Sequence, residues 1–233
     1  MKLINVLAIS ALATAATAGA QSVELGLTGG YAGGLSGELF IHSPNLIGPV
    51  GVKFGVAYAR AADAINDSAP YDPSGALYPS TFTFGNAKKS TASGGLDATE
   101  SGSHTIVGLD ATYGLGELAP GIDTTLYVGG RYGMFRSTEG VSGGTTTYSS
   151  NEFGIGAGAM VSYALTGNLS LVGDLGADYF FKGPINISGT RADGTSTTPD
   201  SIGTGDANYA TFNNRVVRPG VEFKVRVGIK YVF

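Results

Sequence analysis

The sequence predicts an all-β protein, an eight-stranded antiparallel up-and-down transmembrane β-barrel. Three observations predict it: apolar residues alternate with small or polar ones along recurring segments, the links between segments alternate short and long, and the non-apolar face combines glycine with balanced charge. Beyond the N-terminus no stretch approaches the roughly 18 consecutive apolar residues that a membrane helix needs. A closed barrel is the other structure that satisfies its backbone hydrogen bonds in lipid.

Residues 1–20, MKLINVLAISALATAATAGA, carry one cation at Lys2, an apolar core from Leu3 to about Leu12 and the small-residue close Ala18-Gly19-Ala20. This is the layout of a secretory signal peptide, so the barrel domain is read as 21–233. The chain has no Cys, no Trp and 38 Gly, so an exported domain must find its stability without disulfides. Without Lys2 its 14 basic residues become 13 against 18 acidic ones, a balance of −5. That leaves no electrostatic case for nucleic acid as a partner.

Eight segments follow, at about 22–31, 35–42, 50–60, 105–115, 122–136, 152–165, 169–182 and 220–233. In the fourth, Val107, Leu109, Ala111 and Tyr113 oppose Gly108, Asp110 and Thr112. In the sixth, Phe153, Ile155, Ala157 and Val161 oppose Gly154, Gly156, Gly158 and Met160. The seventh sets Leu171, Leu175 and Tyr179 against Asp174, Asp178 and Lys182, and the last sets Val221 to Phe233 against Glu222, Lys224, Arg226, Gly228 and Lys230. Such two-faced strands have one greasy wall and one wet one.

Short links follow the second, fourth and sixth segments (HSPNLIGPV, GELAPG and TGN). Long ones, near 61–104, 137–151 and 183–219, follow the third, fifth and seventh, and the link around Ala32–Gly34 is the short exception. One rim of the barrel is thus expected to face the periplasm and the other the exterior. The long connections are polar and read as mobile surface loops or partly extended hairpins, with YDPSGALYPSTFTFG able to pair in part as a strand extension.

A soluble calyx with an apolar, ligand-binding interior shares this fold with its faces inverted. Two features favour the membrane reading. Gly154, Gly156 and Gly158 would make a sparse exterior but suit the wall of a narrow lumen. Tyr31, Tyr58, Tyr113, Tyr132, Tyr163, Tyr179, Tyr231 and Phe233 lie near strand ends on the apolar face, as aromatic belts do at a water–lipid interface.

The lumen face should then carry Glu24, Glu38, Asp110, Asp174, Asp178 and Glu222 against Lys53, Arg131, Lys182, Lys224, Arg226 and Lys230. Six acids oppose six bases, and buried charges need partners. Strand order and height pair Glu38 with Lys53, Glu24 with Lys230, Asp174 and Asp178 with Arg226 and Lys224, and Asp110 with Arg131. Gly228→Ala, on the same face, is expected to be milder than Val225→Arg on the lipid face, which should cost about 2–4 kcal/mol.

The final strand alternates Val227, Ile229, Tyr231 and the terminal Phe233. In this the chain resembles the outer-membrane barrels of diderm bacteria, and with eight strands and alternating links it is similar to the small OmpA/OmpX-type barrels. The resemblance implies an outer-membrane location, lipid as the surrounding partner, a final strand read by the barrel assembly machinery, and a surface or envelope protein as a further partner.

Chemistry is sparse. Gly154–Ala159 matches a degenerate dinucleotide fingerprint but lies in a strand with no helix after it. His42 and His104 are expected on opposite rims, and the neighbours Ser103 and His104 point to opposite faces, which disfavours a catalytic pair. Asp193, Asp200 and Asp206 lack the spacing of a calcium loop. No cofactor, metal or enzymatic activity is expected. The sequence therefore points to a non-enzymatic barrel with a salt-bridged lumen and a structural or surface-interaction role, with a narrow channel or apolar-solute transporter as the alternative.

Overall fold

The computed structural model describes residues 22–61, 63–72 and 76–233; the signal-peptide segment 1–20 lies outside them. Eight strands form the wall: β1 (Glu24–Ala32), β2 (Gly34–Ile47), β3 (Val50–Ala61), β4 (Thr99–Ala119), β5 (Ile122–Val141), β6 (Gly144–Ala164), β7 (Leu169–Phe180) and, after the short β8 (Ile185–Thr190) and β9 (Asp200–Ile202), β10 (Val221–Val232). Each pairs antiparallel with its neighbours in chain order, β10 takes the place after β7, and β10 pairs with β1 to close the ring. Closure abolishes the free edges that lipid would not tolerate. The seam is continued at the chain end, where the Phe233 N–H donates to the Val23 carbonyl at 2.9 Å.

The turns follow their residues. One residue, Gly33 at φ +60°, joins β1 to β2, and Ser142 and Gly143, both at positive φ, join β5 to β6. Positive φ at both central positions is what a two-residue hairpin matched to strand twist requires.

Every wall strand turns one row of apolar residues outward: Leu27, Leu39, Phe54, Leu109, Val128, Ile155, Leu175 and Val225 are all exposed. Tyr31, Tyr58, Tyr132 and Tyr179 lie toward the rim that carries the long connections, whereas Tyr113, Tyr163, Tyr231 and Phe233 lie toward the rim of short turns. On β10 the levels of Tyr231 and of Tyr179 (opposite Val221) are ten residues apart. At a tilt near 45° that corresponds to about 24 Å, the height of an outer-membrane apolar band.

β4, β5 and β6 are 21, 20 and 21 residues long, about twice what a tilted crossing needs. Their upper halves rise above the lipid as a sheet, to which β8 and β9 add along the β6 edge. The expected long link at 137–151 is therefore mostly strand, with a two-residue turn.

The described residues of the connections at 61–104 and 183–219 likewise depart from mobile loops. Helices α1 (Phe84–Ala87) and α2 (Tyr209–Arg215) fold over the inner face of the upper sheet. Ile65, Phe84, Ala87, Tyr148, Ile185, Ile202, Tyr209 and Val216 form one buried cluster there. Among the described residues the YDPSGALYPSTFTFG stretch does not extend a strand: Tyr71, Tyr78 and Phe82 pack ring against ring, with centroids 5.0–6.0 Å apart. Apolar residues from two connections together make a core that neither could make alone.

Candidate functional site

Inward-facing side chains fill the barrel in layers. At the mouth ringed by the short turns, Glu24 accepts from Lys230 Nζ at 2.8 Å, while His42 spans Glu24 and the Thr112 hydroxyl at 2.7 and 2.9 Å. Above it Phe40, Tyr127, Met160 and Val172 form an apolar layer.

The central layer holds four carboxylates and four cations. Lys53 Nζ lies 2.8 Å from Glu38, whose other oxygen accepts from Arg226 Nη1 at 2.7 Å. Arg226 also donates to the Ser36 hydroxyl and stands 3.8 Å from Asp174. Asp178 accepts from Arg131 Nε at 2.7 Å and from Lys224 Nζ at 3.0 Å, and Arg131 Nη1 donates to Asp110 at 2.6 Å. The Tyr127 hydroxyl donates to Asp174 at 2.7 Å, and its ring lies under the ammoniums of Lys53 and Lys224, 4.9 and 5.2 Å away. Removal from water costs each of these ions several kcal/mol, which only such close multiple pairing offsets.

Glycines make room for the long side chains. A Cβ at Gly156 would strike Asp178 and the Arg131 guanidinium, and one at Gly158 would strike the Tyr127 hydroxyl. At Gly228, as at Gly158 beside the Leu175 carbonyl, a Cβ would also meet backbone, here the carbonyl of Leu27 on β1, so alanine there has to shift the neighbouring strand. A second apolar layer, Ala57, Ile106, Phe135 and Phe180, covers the ions from above. The gap lined by Glu38, Asp110, Arg131, Asp178, Lys224 and Arg226 is about 10 Å³, the room that about one water needs.

The structure brings together every expected acid–base pair, with two differences in partner choice. Arg226 is held closest by Glu38, and Asp178 serves Arg131 as well as Lys224. Lys182 is a correction: β7 ends at Phe180 and Lys182 is exposed, because the alternation stops where the chain leaves the sheet. Glu222 is buried at the upper end of β10, where its neighbour is His104 at 3.3 Å rather than a lysine or arginine. His42 and His104 thus lie inside the lumen, near its two ends. Val227, Ile229, Tyr231 and Phe233 face outward on β10 and its end.

Reading by pattern missed a second polar cluster under the outer cap. Arg215 on α2 donates to Glu139 and to the Pro70 carbonyl, both at 2.6 Å, and to the Tyr148 hydroxyl at 3.2 Å. Burial beside the Glu139 carboxylate pushes the Tyr148 phenol up, so it stays a donor to Glu139. Arg218 reaches Glu152, Ser150 and Tyr209. Glu152 was legible, for it shares the parity of Gly154; the two arginines lie in an aperiodic connection and gave no signal.

At the cap's edge Lys88 bridges Asp67 at 2.5 Å and Glu100 at 2.7 Å. Burial alone would raise the Glu100 carboxyl, but Lys88 and the backbone N–H groups of Ile65 and Ala64 outweigh it and hold it below the usual value of 4.5.

No protein-family model matches the chain, and no curated protein does. Among solved structures it is similar to a major outer membrane protein from Thermus thermophilus, with 31% identity and a TM-score of 0.80 over 92% of this chain and 100% of that one. Two further barrels share less. Neisserial surface protein A has 14% identity and a TM-score of 0.40 over 91% of this chain and 96% of its own, and Acinetobacter baumannii CarO has 12% and 0.41 over 92% and 98%.

Proposed function

This chain belongs to the family of the Thermus thermophilus major outer membrane protein, as an integral β-barrel of a diderm outer membrane, and from that membership we propose that it is a non-enzymatic envelope barrel. It stabilises the outer membrane and presents its folded cap to a surface or envelope partner. The observation that supports this reading is the lumen: eight central charges neutralise one another between two apolar layers, and the gap among them is about 10 Å³. An eight-stranded barrel is just wide enough for its own side chains, and these side chains use that width.

The outward Val227, Ile229, Tyr231 and Phe233 are the segment that the barrel assembly machinery would recognise. Phe233→Ser is expected to lower the amount of folded barrel in envelopes while leaving refolding of the purified chain unchanged.

Loss of the gene from its host tests the structural role. The expected result is an envelope more sensitive to detergent with unaltered uptake of small solutes. Unaltered detergent resistance with impaired uptake of an ion or small solute would overturn the reading in favour of transport.

A further inference from the structure

The outer face of the upper sheet continues the lipid-facing wall without a break, yet its chemistry changes at the aromatic belt. Two residues above Tyr58 on β3 stands Arg60, and four above Tyr132 on β5 stands Arg136; both point outward. The strand register places Arg60, Ser103 and Arg136 opposite one another on three adjacent strands, so the two arginines are rooted about 10 Å apart. Ser101 and Thr138 complete the recess they line, of about 530 Å³. No carboxylate lines it, and neither guanidinium has a side-chain or backbone partner among the described residues.

Above this pair the same face becomes a hydroxyl-bearing strip. Ser101, Thr138, Thr147 and Ser188 stand in one cross-strand row on β4, β5, β6 and β8, and the Thr138 and Thr147 hydroxyls are 3.0 Å apart. The reverse face of the sheet buries Tyr148 and Ile185 in the cap core, so the strip is not needed to hold the cap. Charged and hydroxyl groups at this height, in a protein whose wall below them is in lipid, meet the headgroups of the outer leaflet.

We propose that Arg60 and Arg136 bind the phosphate-bearing headgroup of an outer-leaflet lipid with net negative charge, with the serine and threonine row hydrogen-bonding its polar substituents. The acyl chains then lie along the wall below Tyr58 and Tyr132. Two guanidiniums directed at one site suit phosphate oxygens, to which they donate paired N–H bonds. The proposal goes beyond the envelope role, since a sealed barrel needs no lipid of any particular kind.

Native mass spectrometry of the folded barrel in phosphatidylcholine-containing micelles, titrated with phosphatidylglycerol, tests it. Phosphatidylglycerol should be retained in preference to phosphatidylcholine, with affinity falling about five-fold for Arg60→Gln or Arg136→Gln and about thirty-fold for the two together. Arg191→Gln, which removes one charge from the exposed hairpin at the top, should leave retention unaltered.

Equal retention by the double variant would overturn the proposal. Displacement by inorganic phosphate at the same concentration as the lipid would overturn it in favour of a soluble anion. A photoreactive residue in place of Ser101 should capture lipid in intact envelopes; capture of a polypeptide instead would reassign the strip to a protein partner.

Discussion

Asp178→Ala removes the carboxylate on which the central layer turns. Arg131, bonded to it at 2.7 Å, keeps Asp110 at 2.6 Å, but Lys224 loses the carboxylate 3.0 Å away that pairs with it directly and is left over the face of the Tyr127 ring at 5.2 Å. A buried cation stripped of its counter-ion costs about 3–5 kcal/mol, a large part of the stability of a small domain. Lys224→Met should cost less, about 1–3 kcal/mol, because Asp178 retains Arg131. The double variant should then be more stable than Asp178→Ala alone, since the stranded charge has gone. Urea unfolding of the barrel folded into lipid vesicles measures all three. A loss below about 1 kcal/mol for Asp178→Ala, or a double variant worse than the sum of the singles, would refute a lumen held by mutual neutralisation.

On the lipid face, Val225→Arg should cost about 2–4 kcal/mol in the same assay, whereas Thr28→Ala, which deletes an inward hydroxyl without a partner, should cost under about 1 kcal/mol; comparable losses would mean the faces are reversed. In the cap, Arg215→Met leaves Glu139 buried without its cation and should open residues 63–98 to limited proteolysis, with the heat-modifiable gel mobility of the barrel unaltered. Acid should detach the segment around Ala64 from β4. The Glu100 carboxyl is held below 4.5, so its contribution is complete above that pH and is lost as pH falls through its lower folded value. Hydrogen exchange at the Ala64 and Ile65 amides should therefore quicken only below about pH 4.5 and be less acid-dependent in Glu100→Gln.

The barrel was legible because its wall is built from one local rule. Alternation assigns each side chain to lipid or lumen, and Asp110, Asp174, Lys224 and Arg226 fall on the inner face by parity alone. Parity gives a face, but the partner depends on reach: Arg226 is in register with Asp174 yet its guanidinium goes to Glu38. Gly228 shows the complementary limit, since its tightness comes from the neighbouring backbone of β1 rather than from the lumen. The cap was opaque because Ile65, Phe84, Ile202 and Tyr209 are scattered singly over two aperiodic connections and become a core only when those connections meet. Lys182 was misplaced because alternation was carried two residues beyond the end of its strand.

The most direct test of the sealed lumen is current through single barrels in planar bilayers. The native protein should give no openings above the lipid background under any applied potential that the bilayer survives, because Glu38, Asp178, Arg131 and Arg226 occupy the path between two apolar layers. Reproducible openings of one fixed size from the folded barrel, absent when the same chain is added unfolded, would contradict it.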